Sequence, residues 1–211
     1  MSILQNNLDE ITKDLEKHIH TKLLIVTKNQ NLNDIVELNS QGFIAFGENR
    51  VQEAKSKYET LSNINDLELH LIGALQRNKV KSALKLFDVI QSIDRVSLVD
   101  EIAKQFDSSF KIRTKDFFIQ VNIGDEDQKS GVLKKDLFDL YNHSVQRKLN
   151  VVGLMCIPPN VENPSNSFKE MVELRDSINK DLKLSMGMSN DYKIALKFQT
   201  NIIRIGSLIF K

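Results

Sequence analysis

Four stretches of this chain, 23–26 (LLIV), 117–121 (FFIQV), 151–155 (VVGLM) and 202–205 (IIRI), are apolar with scarcely a break. A strand with one wet face alternates apolar and polar side chains, whereas an unbroken run has to be covered on both faces. Parallel sheets lying between helices supply that cover, which points to an α/β fold. Strand-like segments recur at 23–28, 43–47, 67–73, 88–93, 117–122, 151–157, 182–188 and 202–206.

Between these segments the spacing turns helical. Residues 31–40 put Leu32, Ile35 and Val36 on one face, with Gly42 as a stop. Val51, Ala54, Tyr58 and Leu61 form a second stripe; Leu133, Leu137, Leu140 and Tyr141 a third; Met171, Leu174 and Ile178 a fourth. An amphipathic helix over 3–18 precedes the first strand. Eight strand–helix alternations predict a (β/α)₈ TIM barrel, compact at 211 residues for a fold that usually takes about 250. A doubly wound open sheet shares the pattern, and periodicity does not separate the two. The three prolines, Pro158, Pro159 and Pro164, fall in one loop, and no linker divides the chain, so one domain over 1–211 is expected.

Composition works by exclusion. A net charge of +1 leaves no basic excess for a nucleic-acid backbone. No apolar run approaches the ~20 residues of a membrane span, and the acidic amino-terminal segment is unlike a secretory signal. A cytoplasmic protein is expected, and a monomer, since no self-complementary apolar face is evident. The lone cysteine, Cys156, lies in an apolar strand as inert core. His18, His20, His70 and His143 lack metal-site spacing, and neither GxGxxG nor GxxxxGK[ST] occurs.

Barrels of this kind place their chemistry at the carboxyl ends of the strands. Lys28 ends the first; a dehydrated barrel mouth would make it a better nucleophile, while a solvent-seeking lysine is the plain alternative. Ser189 precedes a helix predicted at 191–198, and Gly206 and Ser207 follow the eighth strand. Together they suit the phosphate site that recurs after strands seven and eight. Arg204 lies among Ile202, Ile203 and Ile205, where it must meet a carboxylate or face a group needing a permanent cation. His70 reads as a satisfied core histidine. Asn49 either caps a helix or contacts a ligand.

Motifs at these strand ends, IVTKNQN (25–31), FGENRVQE (46–53), HLIGALQRNK (70–79), QVNIGDEDQKSG (120–131), GLMCIPP (153–159), LSMGMSNDY (184–192) and RIGSLIF (204–210), run nearly the whole chain. In this order they resemble the YggS/PROSC-type pyridoxal 5′-phosphate (PLP) homeostasis proteins, whose fold is like the amino-terminal barrel of alanine racemase. The resemblance implies PLP as cofactor, held as an internal aldimine on Lys28. It implies a phosphate over Ser189, Gly206 and Ser207, Arg204 beside the pyridine nitrogen, and Asn49 and Met186 lining the ring pocket. Asn29, Gln30 and Asn31 depart from the threonine or proline common after the lysine, and Ser207 stands where threonine is common.

The resemblance further implies intracellular PLP homeostasis without catalysis, with PLP-dependent apoenzymes or PLP-supplying enzymes as partners. A racemase working on both faces of its substrate needs a second base, and Tyr58, Tyr141 and Tyr192 fall in helices or loops. A weakly active PLP-dependent racemase-like enzyme is the alternative, and a phosphosugar-binding barrel a third reading.

Overall fold

A computed structural model describes residues 3–59, 66–106 and 109–210. Helix α1 (Gln5–Glu16) comes first, followed by β1 (Lys22–Val26), α2 (Leu32–Ser40), β2 (Ala45–Glu48), α3 (Val51–Tyr58) and β3 (Glu68–Leu71). The chain continues through α4 (Val80–Leu86), β4 (Val89–Ile93), α5 (Val96–Lys104), β5 (Asp116–Val121) and α6 (Leu137–Gln146). It ends with β6 (Val151–Cys156), α7 (Ser165–Ile178), β7 (Lys183–Met188), α8 (Tyr192–Ala195) and β8 (Ile202–Ile205).

The eight strands form a closed barrel in sequence order, each parallel to its neighbours. Closure comes from β1 against β8, in register from Lys22↔Ile202 to Ile25↔Ile205. This decides between the two α/β folds left open by periodicity, because an open sheet has two edge strands and here every strand is paired on both sides. Inside the barrel pack Leu24, Ala45, Val89, Phe118, Met155 and Ile202. A much larger cluster, including Ile25, Phe46, Ile90, Ile119, Leu154 and Ile203, fills the space between sheet and helices. Both faces are therefore dry, which is why the strands read as unbroken apolar runs. Each fully buried side chain such as Phe46 adds roughly 1.5–3 kcal/mol.

Helix α1 takes the place that a helix after β8 would occupy. Leu8 and Ile11 enter the core, Tyr192 Oη donates to Asp14 at 2.9 Å, and Lys193 pairs with Glu10 on the α8 side. Leu4 N–H donates to Ile209 O at 2.7 Å, tying the start of the helix to the segment after β8.

Two of the predicted stripes are narrower than expected. In α2 the buried face is Ile35 and Leu38, while Val36 is exposed; Leu133 is also exposed, because α6 begins only at Leu137. Leu61, assigned to the second stripe, lies outside the described residues.

Candidate functional site

The carboxyl ends of the strands open into a cavity of about 940 Å³, whose wall includes Lys28, Asn49, Ser189, Arg204, Gly206 and Ser207. The fold thus brings six of the seven sequence-predicted residues together.

Lys28 follows Thr27, which extends β1 by donating its N–H to Gly47 O at 3.0 Å. A turn then closes through Gln30 N–H to Thr27 O at 3.0 Å. Asn29 takes a left-handed φ of 61°, a conformation that asparagine tolerates better than most residues. Asn31 caps α2, accepting from Asp34 N–H at 3.0 Å while Asp34 accepts in return from Asn31 N–H at 3.4 Å. The departure at Asn29–Asn31 therefore has a local purpose: it builds the turn and starts the helix. Lys28 is exposed at the rim, as the solvent-seeking alternative has it.

Beneath that turn lies a polar cluster that sequence reasoning did not single out. Thr27 Oγ1 donates to Glu48 Oε1 at 2.8 Å, and Tyr58 Oη is 3.0 Å from the same hydroxyl. Lys57 Nζ donates to Thr27 O at 2.8 Å, Glu48 at 2.9 Å and Glu53 at 2.8 Å. Glu53 also accepts from Asn29 N–H at 2.6 Å. Burial raises the Glu48 carboxyl above its ordinary range, outweighing Lys57 and Thr27, which pull it down. A glutamate ending the apolar strand AFGE was the available signal.

The loops after β7 and β8 meet where Gly206 N–H donates to Ser189 Oγ at 3.4 Å. Asp191, its carboxyl raised by burial, accepts from Met188 N–H at 2.6 Å and fixes the turn that carries Ser189. The predicted helix over 191–198 splits into the single turn of α8 and a 3₁₀ turn, Leu196–Phe198. The two loops consequently bring Ser189, Gly206 and Ser207 to the cavity wall without a long helix behind them.

Arg204 is almost wholly buried. Its Nη1 donates to Ser185 O at 2.6 Å and Ser185 Oγ at 2.9 Å, and its Nη2 donates to Cys156 O at 2.7 Å. Among the described residues no carboxylate lies within ion-pair distance of it, and its Nε–H and one Nη2–H have no protein acceptor. The buried ion pair allowed by the sequence is therefore not formed. Burial lowers the guanidinium's pKa.

Asn49 is half-buried on the cavity wall and does not cap α3, whose cap position is Arg50. Its backbone is pressed against Gly73, where an added Cβ would stand 2.2 Å from Asn49 O.

Met186 is the correction. It is fully buried in the core between sheet and helices, and Met188 lines the cavity instead. Alternation from inward-facing Ser185 would turn Met188 outward, but β7 is irregular: the three steps from Ser185 to Met188 lie against the two from Ile202 to Arg204 on β8. Gly187, at φ 99°, absorbs the extra residue and re-aims Met188.

No tyrosine lines the cavity, and among the described residues no cluster of histidine, cysteine or acidic side chains is placed to hold a metal. No helix among them is long and apolar enough to cross a membrane. An amine, two hydroxyl-bearing loops and a cation with no carboxylate in direct contact suit an anionic carbonyl compound.

No family model matches the chain. A relative in Aquifex aeolicus, named pyridoxal phosphate homeostasis protein, is 41% identical over 199 residues, covering 90% of this chain and 86% of its own. PipY of Synechococcus elongatus, solved with PLP bound, superposes with a TM-score of 0.83 at 28% identity, covering 98% of this chain and 99% of its own. Alanine racemase from Bartonella henselae shares the fold, with a TM-score of 0.73 at 16% identity, covering 98% of this chain and 58% of its own. The chain belongs to the pyridoxal phosphate homeostasis protein family.

Proposed function

We propose that this protein holds PLP reversibly at the barrel mouth, as a cytoplasmic monomer that takes part in PLP homeostasis. Lys28 Nζ is the covalent attachment point for the cofactor aldehyde. Ser189, Gly206 and Ser207 receive the phosphate, Asn49 and Met188 flank the ring, and Arg204 meets the ring nitrogen. When bound, PLP supplies an electron-withdrawing ring, and an arginine at the nitrogen keeps that nitrogen unprotonated and weakens the withdrawal.

The observation that carries this reading is Arg204, a buried cation on the cavity wall with N–H groups to spare and no carboxylate partner. Such a group is costly unless a ligand uses it. The residues also fit PLP in kind, since the pairing of β1 with β8 places the loop carrying Gly206 beside the end of the strand that leads to Lys28.

A holding role, with PLP-dependent apoenzymes or PLP-supplying enzymes as partners, suits the exposure of Lys28, because a cofactor at an open rim can leave. The absence of a tyrosine from the cavity wall gives no support to a racemase-like activity. The test is absorbance on adding PLP, followed by borohydride reduction and peptide mapping. A visible band that Lys28→Ala abolishes, with the label on Lys28, is the expected result. No band, or a label on another lysine, overturns the assignment, and loss of optical activity from L-alanine would revive the racemase reading.

A further inference from the structure

The barrel interior carries a row of polar side chains that the proposed cofactor contacts leave unexplained. Arg204 Nη1 donates to Ser185 Oγ at 2.9 Å, and Ser185 Oγ donates to Gln91 Oε1 at 2.6 Å. Gln91 Nε2 lies 2.7 Å from His70 Nδ1, and His70 Nε2 lies 2.5 Å from Glu68 Oε1. The other Glu68 oxygen pairs with Lys22. Ser185, Gln91 and His70 are buried, whereas the Lys22 and Glu68 side chains are 37% and 32% exposed. Lys22 and Glu68 open β1 and β3, and Arg204 borders the cavity at the far ends of the strands. The row therefore runs the length of a barrel that Leu24, Val89 and Phe118 otherwise fill with apolar bulk.

Its direction follows from its ends. An arginine only donates and a carboxylate only accepts. Ser185 Oγ accepts from Arg204, so its one proton goes to the Gln91 carbonyl oxygen. That turns the Gln91 amino group toward His70, whose Nδ1 accepts and whose Nε2 carries the proton given to Glu68. Each member has a single role, and reversing one requires reversing its neighbours. Lys22 from β1 and Glu68 from β3 are the charged groups at the His70 end. Cys156 from β6 and Asp191 from the β7–α8 turn are the titratable groups facing Arg204.

We infer that Ser185, Gln91 and His70 are positioning residues, which hold the Arg204 guanidinium in the orientation that leaves its uncommitted N–H groups for a ligand and couple it to the Glu68–Lys22 pair at the opposite end of the barrel. The ligand consequence rests on the PLP reading, while the row itself belongs to the protein alone. An apolar interior would satisfy packing equally well, so a polar row in which Ser185, Gln91 and His70 each bond both neighbours implies a demand for orientation.

The test uses the full chain with ¹⁵N-labelled histidine, the His70 signals being those lost in His70→Gln. Wild type is expected to show a neutral ring protonated on Nε2. Gln91→Glu offers only acceptors to both neighbours, so His70 should gain a proton on Nδ1, a change that a merely space-filling Gln91 would not produce. Ser185→Ala should shift the same signals. In Ser185→Ala, which removes one hydrogen bond to the Arg204 guanidinium, PLP binding should weaken roughly ten- to a hundredfold, and in both variants the pH profile of the visible band should move. Should Gln91→Glu fail to melt cooperatively, Ser185→Ala carries both readouts. A wild-type ring protonated on Nδ1, or unmoved His70 signals in folded variants, overturns the row, and wild-type PLP affinity with an unchanged pH profile overturns its positioning role. A wild type that takes up no PLP sinks the cofactor reading instead, and the His70 signals then decide the row.

Discussion

Thr27 Oγ1 and Glu48 Oε1 are hydrogen-bonded at 2.8 Å directly under the turn that presents Lys28. The proton of Thr27 goes to the carboxylate, so Tyr58 Oη donates to Thr27 in turn, and Lys57 closes the cluster from α3. An exposed lysine thus stands on a rigid base made from β1, β2 and α3. Removing Glu48 takes a fully buried acid from a pair with Lys57, which keeps Glu53 as a second partner. Glu48→Ala is therefore expected to fall toward the lower end of the about 3–5 kcal/mol that breaking a buried pair costs. Urea denaturation measures it, and a loss below that of an ordinary surface substitution would show that the cluster is not a brace.

Gly187→Ala tests the irregularity in β7. The substitution demands a φ of 99° from a residue with a Cβ and places that Cβ 2.7 Å from the Ala195 Cβ. Backbone strain of this kind costs about 1–3 kcal/mol. Both the melting temperature and PLP binding are expected to drop, because Met188 and Ser189 lie immediately beyond. A variant that melts like wild type would place the bend elsewhere.

The Cys156 thiol is fully buried, and burial pushes its pKa up to about 12. The thiolate is the reactive form, so native protein should resist thiol reagents. Labelling followed by mass spectrometry should proceed at the rate of unfolding and accelerate in denaturant. Fast labelling without denaturant would contradict the buried placement.

Glu68 governs part of the acid response. A hydrogen bond from His70 lowers its pKa from an ordinary 4.5 to about 2, against burial, with Lys22 assisting. A carboxylate whose folded pKa is depressed contributes stability in full above its unfolded value and loses it as pH falls through the folded one. The contribution should therefore fade between pH 4.5 and about 2. Glu68→Gln should flatten the dependence of unfolding free energy on pH in that window, and an unchanged slope would argue against the pairing.

The strands were legible in the sequence because burial on both faces writes the same signal into each of them. Arg204 was legible for the opposite reason, as a charge where the surrounding isoleucines forbid one. Barrel closure was not, since the pairing of Lys22 with Ile202 joins residues at opposite ends of the chain and no local pattern encodes it. Met186 came from the resemblance rather than from the strand's own pattern, and the pattern does not expose Met188 either, because only the conformation of Gly187 reveals the extra residue that turns it inward. Ser185, Gln91 and His70 stand in three different strand segments of the sequence, and their connection exists only across the barrel.

Strand β8 both seals the sheet against β1 and carries Arg204, with Gly206 and Ser207 immediately after it. A nascent polypeptide emerging amino terminus first can lay down seven strands and still have neither a closed barrel nor the residues proposed to receive the phosphate. On the proposed reading, capacity to take up cofactor then waits for completion of the fold: a partly made chain has an unpaired β1 edge and lacks Arg204, Gly206 and Ser207.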